Sequence, residues 1–315
     1  MGTPYITPAM LTTAPTGIAW SIIPMPKATT EQQFAEQWNI CARATDIVDG
    51  YTNQVLRSTI DNDEISVPDF YATVQNYTGQ VRWILTRWPV TAILAAQWSP
   101  NILPPTWTAV PTGAWRVETP ILGVYNSYLP SGSGGSGGQT IYLGCGTASW
   151  AYGRNGFLVA CSYQNGWPHA GLAASAEAGA TTIQVDDVTG FAGAATYIYD
   201  GAESESVVIS SVSANTPLVL PNSGGTAQSG PGTLTLSAPL QYAHTGGSPT
   251  DVVISSIPKA VIWATILAAM VQALDSGIIA ITAQNLPGST TMGGHGIQDL
   301  ILSYENLLKP YRRTI

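Results

Sequence analysis

Ala260 to Leu274 is the longest apolar stretch of this chain without a charged side chain, and it stops at Asp275. Wound at 3.6 residues per turn, the stretch is apolar nearly all round. A helix of that kind has to be buried on every side, so the fold must wrap other elements around it. Pro258 follows Ser255-Ser256 and sits where a first-turn proline belongs. The run is shorter than the ~20 residues needed to span a bilayer, which makes a buried helix the reading. No basic region followed by an apolar run and a small-residue cleavage site opens the chain, so no signal peptide is expected.

Two more helices are legible. Thr29 and Thr30 are candidate N-caps, with Gln32 and Gln33 each three residues on, the pattern of a capping box. From there Phe34, Trp38, Cys41 and Val48 line one stripe, and Ile40, Ala44, Ile47 and Tyr51 an adjacent one. This helix is expected to end between Tyr51 and Leu56. The last helix, Gly296 to about Lys309, puts Ile297, Leu300, Ile301, Tyr304, Leu307 and Leu308 on one face. Pro310 ends it and leaves Tyr311-Arg312-Arg313 as a basic tail. Ahead of the first helix, Met1 to Thr30 is rich in Pro, Thr and Ala and reads as an extended arm with at most a short helical turn near Pro8–Leu11.

Between the helices the chain reads as strands. Val81–Leu85, Thr91–Ala95, Trp107–Val110, Trp115–Glu118, Thr140–Leu143 and Phe157–Tyr163 are candidates, the third and fourth joined by the turn signal Pro111-Thr112-Gly113. Ser131 to Gly138 is a Gly/Ser loop. From about Ala173 to Asp251, short alternating runs recur between turns, with Asp200-Gly201 as a hairpin signal; this spacing predicts a small barrel or sandwich. The expected fold class is α+β: a core of N- and C-terminal helices with strands, plus an inserted small all-β domain. The corresponding divisions are residues 1–172, 173–251 and 252–315.

Composition narrows the function. Charged residues are only 10% of the chain, against roughly 25% in an average soluble protein, so partners are expected to cover much of its surface. A net charge of −8 argues against a protein that grips nucleic acid, which needs clustered Lys and Arg. Cys41, Cys145 and Cys161 form neither a disulfide framework nor a CxxC knuckle.

Catalytic motifs are weak. Gly132-Ser133-Gly134-Gly135-Ser136-Gly137 matches GxGxxG, and Gly134-Gly135-Ser136-Gly137-Gly138 matches GxSxG. Neither follows a strand and opens a helix, as the dinucleotide fold and the nucleophile elbow require. His169, His244 and His295 stand in Gly- or Pro-rich stretches without metal-ligand spacing and read as surface or loop histidines, although each could meet a serine and an aspartate in space. Asp61-Asn62-Asp63-Glu64 and Asp186-Asp187 read as solvated turns. Trp83, Trp88, Trp98, Trp107 and Trp115 suit a core or an interface more than a carbohydrate platform. No catalytic, cofactor-binding or metal-binding residue is assigned, and no enzymatic activity or cofactor is expected.

Several segments, in order, resemble the head–tail connector (adaptor, or head-completion) proteins of long-tailed bacteriophages. They are Ile6–Leu11, Ala44–Tyr51, Arg87-Trp88-Pro89-Val90, Gly153–Gly156, Tyr163–His169, Ile257–Val261 and Leu307–Arg313. The resemblance touches most of the chain through short motifs, and the chain departs from smaller connectors in its β insertion and Gly/Ser loop. It implies a structural virion protein in the neck between capsid and tail, assembled in the host cytoplasm. Such a protein forms a homo-oligomeric ring, usually of twelve subunits, docked on the portal protein. The ring extends the DNA channel, binds no DNA specifically, and receives a stopper, tail-completion or tail terminator protein. By position, Tyr304, Leu308, Tyr311, Arg312 and Arg313 would be the portal-docking residues. Phe34, Trp38, Trp263 and Leu267 would serve the ring interface, and Tyr128, Ser131 and Gly134 a loop entering the channel or the next ring. The alternative expectation is a carbohydrate- or host-binding virion protein that uses the inserted β domain.

Overall fold

The structure is a computed structural model and describes residues 2–20, 23, 28–67, 80–99, 104–110, 115–118, 140–144, 157–275 and 295–313. It combines helices with antiparallel sheets, so the chain is α+β. Two compact units divide it. The first comprises Met1–Arg57, Trp167–Asn215 and Gly230–Arg312; the second comprises Ser58–Gly166 with Thr216–Ser229 and Arg313–Ile315.

In the first unit, α1 (Pro8–Thr13), α2 (Thr30–Thr52), α3 (Lys259–Asp275) and α4 (His295–Leu308) form a helical layer. The α2 N-terminus carries the expected capping box. Thr29 Oγ1 accepts from the Gln32 N–H at 3.2 Å, and Gln32 Oε1 accepts from the Thr29 N–H at 3.0 Å. Replacing Thr29 by Ala is expected to lower stability by about 1 kcal/mol, read as a shift of the urea midpoint at constant m. At the other end Asn53 takes a left-handed conformation (φ 55°), one that asparagine tolerates, and the helix stops.

As its composition demands, α3 is the centre of this layer. Val261, Ala264, Thr265, Ala268, Ala269 and Ala273 are fully buried, and the Thr265 hydroxyl is satisfied by the Val261 carbonyl. The helices of the same chain and the N-terminal segment supply that burial. The N-terminal segment is not a free arm: Tyr5, Ile6 and Leu11 are fully buried in the helical core. Proline and threonine report an extended backbone, and they say nothing about whether that backbone is solvated.

The same unit holds a six-stranded antiparallel sheet. Its order is β8 (His169–Gly171), β15 (Val253–Ser255), β10 (Ala195–Tyr199), β11 (Glu205–Ala214), β14 (Gly232–Leu236) and β9 (Thr182–Val185). The outermost strands approach each other through a Leu172–Val185 bridge, an Ala173 N–H to Gln184 carbonyl bond (2.9 Å) and an Asp186 N–H to Gly171 carbonyl bond (3.1 Å). The sheet therefore curls back on itself as a barrel. Alternation decides which side chains fill it: Ile183 and Val185 point in while Thr182 and Gln184 face out, and Ile198, Ile209, Leu234 and Ile254 join them inside. Its first and last strands, β8 and β15, lie just outside the expected 173–251 limits. On the barrel's outer side Tyr199 packs against the helical core.

The second unit contains a sheet ordered β1 (Thr59–Val67), β7 (Phe157–Asn165), β3 (Val90–Ser99) and β4 (Thr108–Ala109). A three-stranded sheet is ordered β2 (Gln80–Ile84), β6 (Thr140–Gly144) and β5 (Trp115–Glu118). Leu218–Val219 (β12) and Thr226–Ala227 (β13) form a separate hairpin. Although a turn signal separates β4 from β5, they pair with β3 and β6 respectively, not with each other.

The acidic cluster Asp61–Glu64 belongs to β1 and is not a turn. β1 is an edge strand, where charged side chains are tolerated. Its carboxylates are engaged: Asp63 accepts from the Thr86 N–H and hydroxyl (both 2.6 Å), and Asp61 accepts from Asn165 Nδ2 (2.7 Å). Among the tryptophans of this region, Trp88 is buried, Trp98 and Trp107 are half-buried, and the side chains of Trp83 and Trp115 lie outside the described residues.

Candidate functional site

Three elements of the first unit converge near its C-terminal end. Tyr51 stands in the last turn of α2, Tyr304 on α4, and Tyr311 in the 3-10 turn Lys309–Tyr311 that follows Leu308. Leu308 is fully buried and anchors α4 in the helical core, one turn after Tyr304. The Tyr51 and Tyr304 rings meet edge to face, 6.5 Å apart at 88°. The Arg312 guanidinium lies 5.3 Å from the Tyr51 ring centre, a cation–π arrangement. Tyr311 packs edge-on against Trp167 at 5.6 Å, and its carbonyl accepts from Gln54 Nε2 at 3.1 Å. Burial, then Glu305 and Tyr51, push the Tyr304 phenol up; burial does the same to Tyr311. Both stay neutral donors.

Arg312 is exposed, and among the described residues it enters no ion pair. The cluster thus offers packed aromatic faces and one cation, held by an α4 whose foot is sunk in the core. Such a combination serves protein contact, where Tyr, Trp and Arg dominate binding energy. It contains no nucleophile and no paired acid and base. Arg313 follows and is half-buried.

The other singled-out residues fall in different places. Phe34 and Trp38 stack 6.3 Å apart at 24° on α2, both half-buried. Trp263 is the exposed residue of an otherwise buried turn of α3, at 36%. Leu267, one turn on, is buried at 7% among the chain's own helices; with Leu308 it is a core residue and presents no surface to a partner. Tyr128, Ser131 and Gly134, and with them the GxGxxG and GxSxG patterns, lie outside the described residues.

Two of the histidines read as surface or loop residues, His169 and His244, are buried. His169 Nε2 faces the Pro4 carbonyl at 2.8 Å, which can only accept, so Nε2 carries the proton. Nδ1 then accepts from the Ser255 hydroxyl at 3.0 Å. Burial pushes the ring down to about 4, so it is neutral. A serine beside a neutral imidazole has the look of a nucleophile and its base. Here Ser255 is 2% exposed and also accepts the Ile257 N–H at 3.1 Å, so no substrate reaches it.

His244 sits between two carboxylates, Nδ1 2.7 Å from Asp200 and Nε2 3.0 Å from Glu205. Burial alone would raise the Glu205 carboxyl, but the N–H groups of Gln241, Tyr242 and His244 outweigh it and hold the group below its ordinary value. His295 is the first residue of α4. Asp186 and Asp187 are tied down as well. Asp186 accepts from Thr3 and the Gly171 N–H, and Asp187 accepts from the Thr189 and Gly230 N–H groups. The Asp187–Thr189 bond is the local one that a turn aspartate makes, whereas no local signal could have found Thr3, 183 residues from Asp186.

Cys41 and Cys161 are buried thiols. Burial raises both, Cys161 to about 12 with Asp63 adding to the effect, so neither is a nucleophile. Among the described residues no group of three His, Cys, Asp or Glu side chains is placed to hold a metal ion, and no helix is long and apolar enough to cross a membrane.

No family model matches the chain, and neither the curated proteins nor the solved structures yield a match.

Proposed function

We propose that the chain is a structural subunit of a phage neck, a ring-forming adaptor that docks on the portal protein through its C-terminal end. The observation that carries this reading is the aromatic–arginine cluster of Tyr51, Tyr304, Tyr311 and Arg312, built on α2, α4 and the turn after it, within one of the segments that resemble head–tail connectors. Edge-to-face aromatics beside a guanidinium that enters no ion pair among the described residues suit a protein partner offering carboxylate or carbonyl groups. Leu308 contributes by anchoring α4 rather than by touching the partner.

Ring contacts in this reading fall to Phe34, Trp38 and Trp263. The burial of α3 itself gives no support to a ring, because its own chain covers it. A chain with so few charges fits a role in which neighbours cover its surface, and its acidic balance fits a channel through which DNA slides. The ring would sit between capsid and tail, with a stopper or tail-completion protein below.

The experiment is co-purification with the portal protein. The double variant Tyr51→Ala, Arg312→Ala is expected to lose portal binding by tenfold or more, about 1.4 kcal/mol or above. Its own oligomeric state should stay that of the unaltered chain, while the urea midpoint falls because Tyr51 also packs on the helical core; Arg312→Ala alone should weaken portal binding at an unchanged midpoint. Undiminished portal binding would remove the docking assignment.

A further inference from the structure

At one end of the barrel, β10 and β11 are joined by the 3-10 turn Gly201–Glu203, with Asp200 just before it and Glu205 just after. Over that end runs the segment from Leu240 to Gly247. Its backbone is tied to the facing strand segment by the Ala176 N–H to His244 carbonyl bond (2.9 Å), the reciprocal His244 N–H bond (2.8 Å) and a Gly179 N–H to Leu240 carbonyl bond (2.8 Å). Leu240 and Ala176, both buried, pack into the barrel interior beneath it.

His244 is the pin. Asp200 Oδ2 and Glu205 Oε1 approach its two ring nitrogens from opposite sides. Glu205 is already committed as an acceptor, taking the N–H groups of Gln241 (3.0 Å) and Tyr242 (3.1 Å). Carboxylate oxygens accept, so these two contacts are both hydrogen bonds only when both ring nitrogens carry hydrogens. Residues 155–258 contain no Lys and no Arg. Among the described residues, Asp200 also acts on Asp251, Glu203 is exposed on the 3-10 turn, and Glu177 is exposed beside Ala176. Tyr242, 42% exposed, is the phenol of the segment.

We propose that His244 is a proton-dependent latch holding the Leu240–Gly247 segment closed over the barrel end. Loss of either ring proton sets a nitrogen lone pair against a carboxylate oxygen. The segment then lifts and uncovers Leu240 and the barrel interior. Alkaline conditions open the latch. The device is independent of the neck reading, since it concerns this unit of the fold alone.

Hydrogen–deuterium exchange on the full chain at pH 6 and pH 9, corrected for intrinsic exchange rates, tests this directly. Protection at the Ala176, Gln241, Tyr242 and His244 amides is expected to fall on the order of tenfold or more at pH 9, while Leu234 inside the barrel stays protected. In His244→Gln the same amides should be weakly protected at both pH values. Nitrogen-15 spectra of the unaltered chain at pH 6 should show both ring nitrogens of His244 protonated, a readout that survives if the variant fails to fold. Equal corrected protection at the two pH values, or a singly protonated ring at pH 6, would overturn the proposal.

Discussion

Replacing Tyr5 by Ala is expected to remove about 4–5 kcal/mol of stability, most of what a domain of ordinary marginal stability possesses. The ring is fully buried and meets His169 edge-on at 5.7 Å. Its hydroxyl donates to Asp49 at 2.5 Å and accepts from the Leu56 N–H at 2.8 Å and the Arg57 N–H at 3.3 Å. Truncation therefore opens a cavity and strands a carboxylate and two amides in one step. Tyr5→Phe separates the two contributions: it keeps the packing and should cost about 2–3 kcal/mol from the unsatisfied polar groups alone. Urea unfolding measures both. A Tyr5→Ala chain within 1 kcal/mol of the unaltered one would mean that the N-terminal segment is not part of the core.

Beside Tyr5 a half-buried carboxyl and a buried imidazole titrate in opposite senses. Burial raises Asp49 from 3.8 to about 6, the Tyr5 hydroxyl only partly opposing it. Burial lowers His169 from 6.5 to about 4. For Asp49 the folded chain binds the proton more tightly than the unfolded one, so this contribution to stability falls as pH rises from 3.8 through 6. For His169 the unfolded chain binds the proton more tightly, so its contribution rises with pH from 4 through 6.5. Each is worth about 3 kcal/mol over its window, and between pH 4 and 6 they nearly cancel.

Single substitutions unmask them. Relative to the unaltered chain, Asp49→Asn should lose about 3 kcal/mol on acidification from pH 6.5 to 4. His169→Gln should gain a similar amount between pH 6 and 4. Parallel pH profiles for all three proteins would show that neither group is titrating in the environment described.

Elements whose signals are local were legible from the residues. Thr29 and Gln32 cap α2 through atoms three residues apart, Pro310 stops α4, and the alternation of Thr182–Val185 builds a barrel wall. What was not legible depends on distant partners. The Thr3–Asp186 bond, the Pro4–His169 bond and the Tyr5–Asp49 bond convert an apparent arm into part of the core, and nothing around residues 3–5 announces them. Glycine and proline near His169 and His244 mark turns correctly, yet the imidazoles are buried because of acceptors far away in sequence.

The candidate site divides in the same way. The wide apolar face of α4 was readable, but only packing separates Leu308, which is core, from Tyr304 and Arg312, which are available. Leu267 and Trp263 stand one turn apart on α3, and their burial at 7% and 36% assigns one to the interior and the other to the surface.

Native mass spectrometry of the purified chain, alone and with its portal protein, tests the central claim most directly. The account expects a large closed oligomer, on its own or on the portal, that disperses when Trp263 is replaced by Lys. A chain that stays strictly monomeric at micromolar concentration and ignores the portal would contradict it.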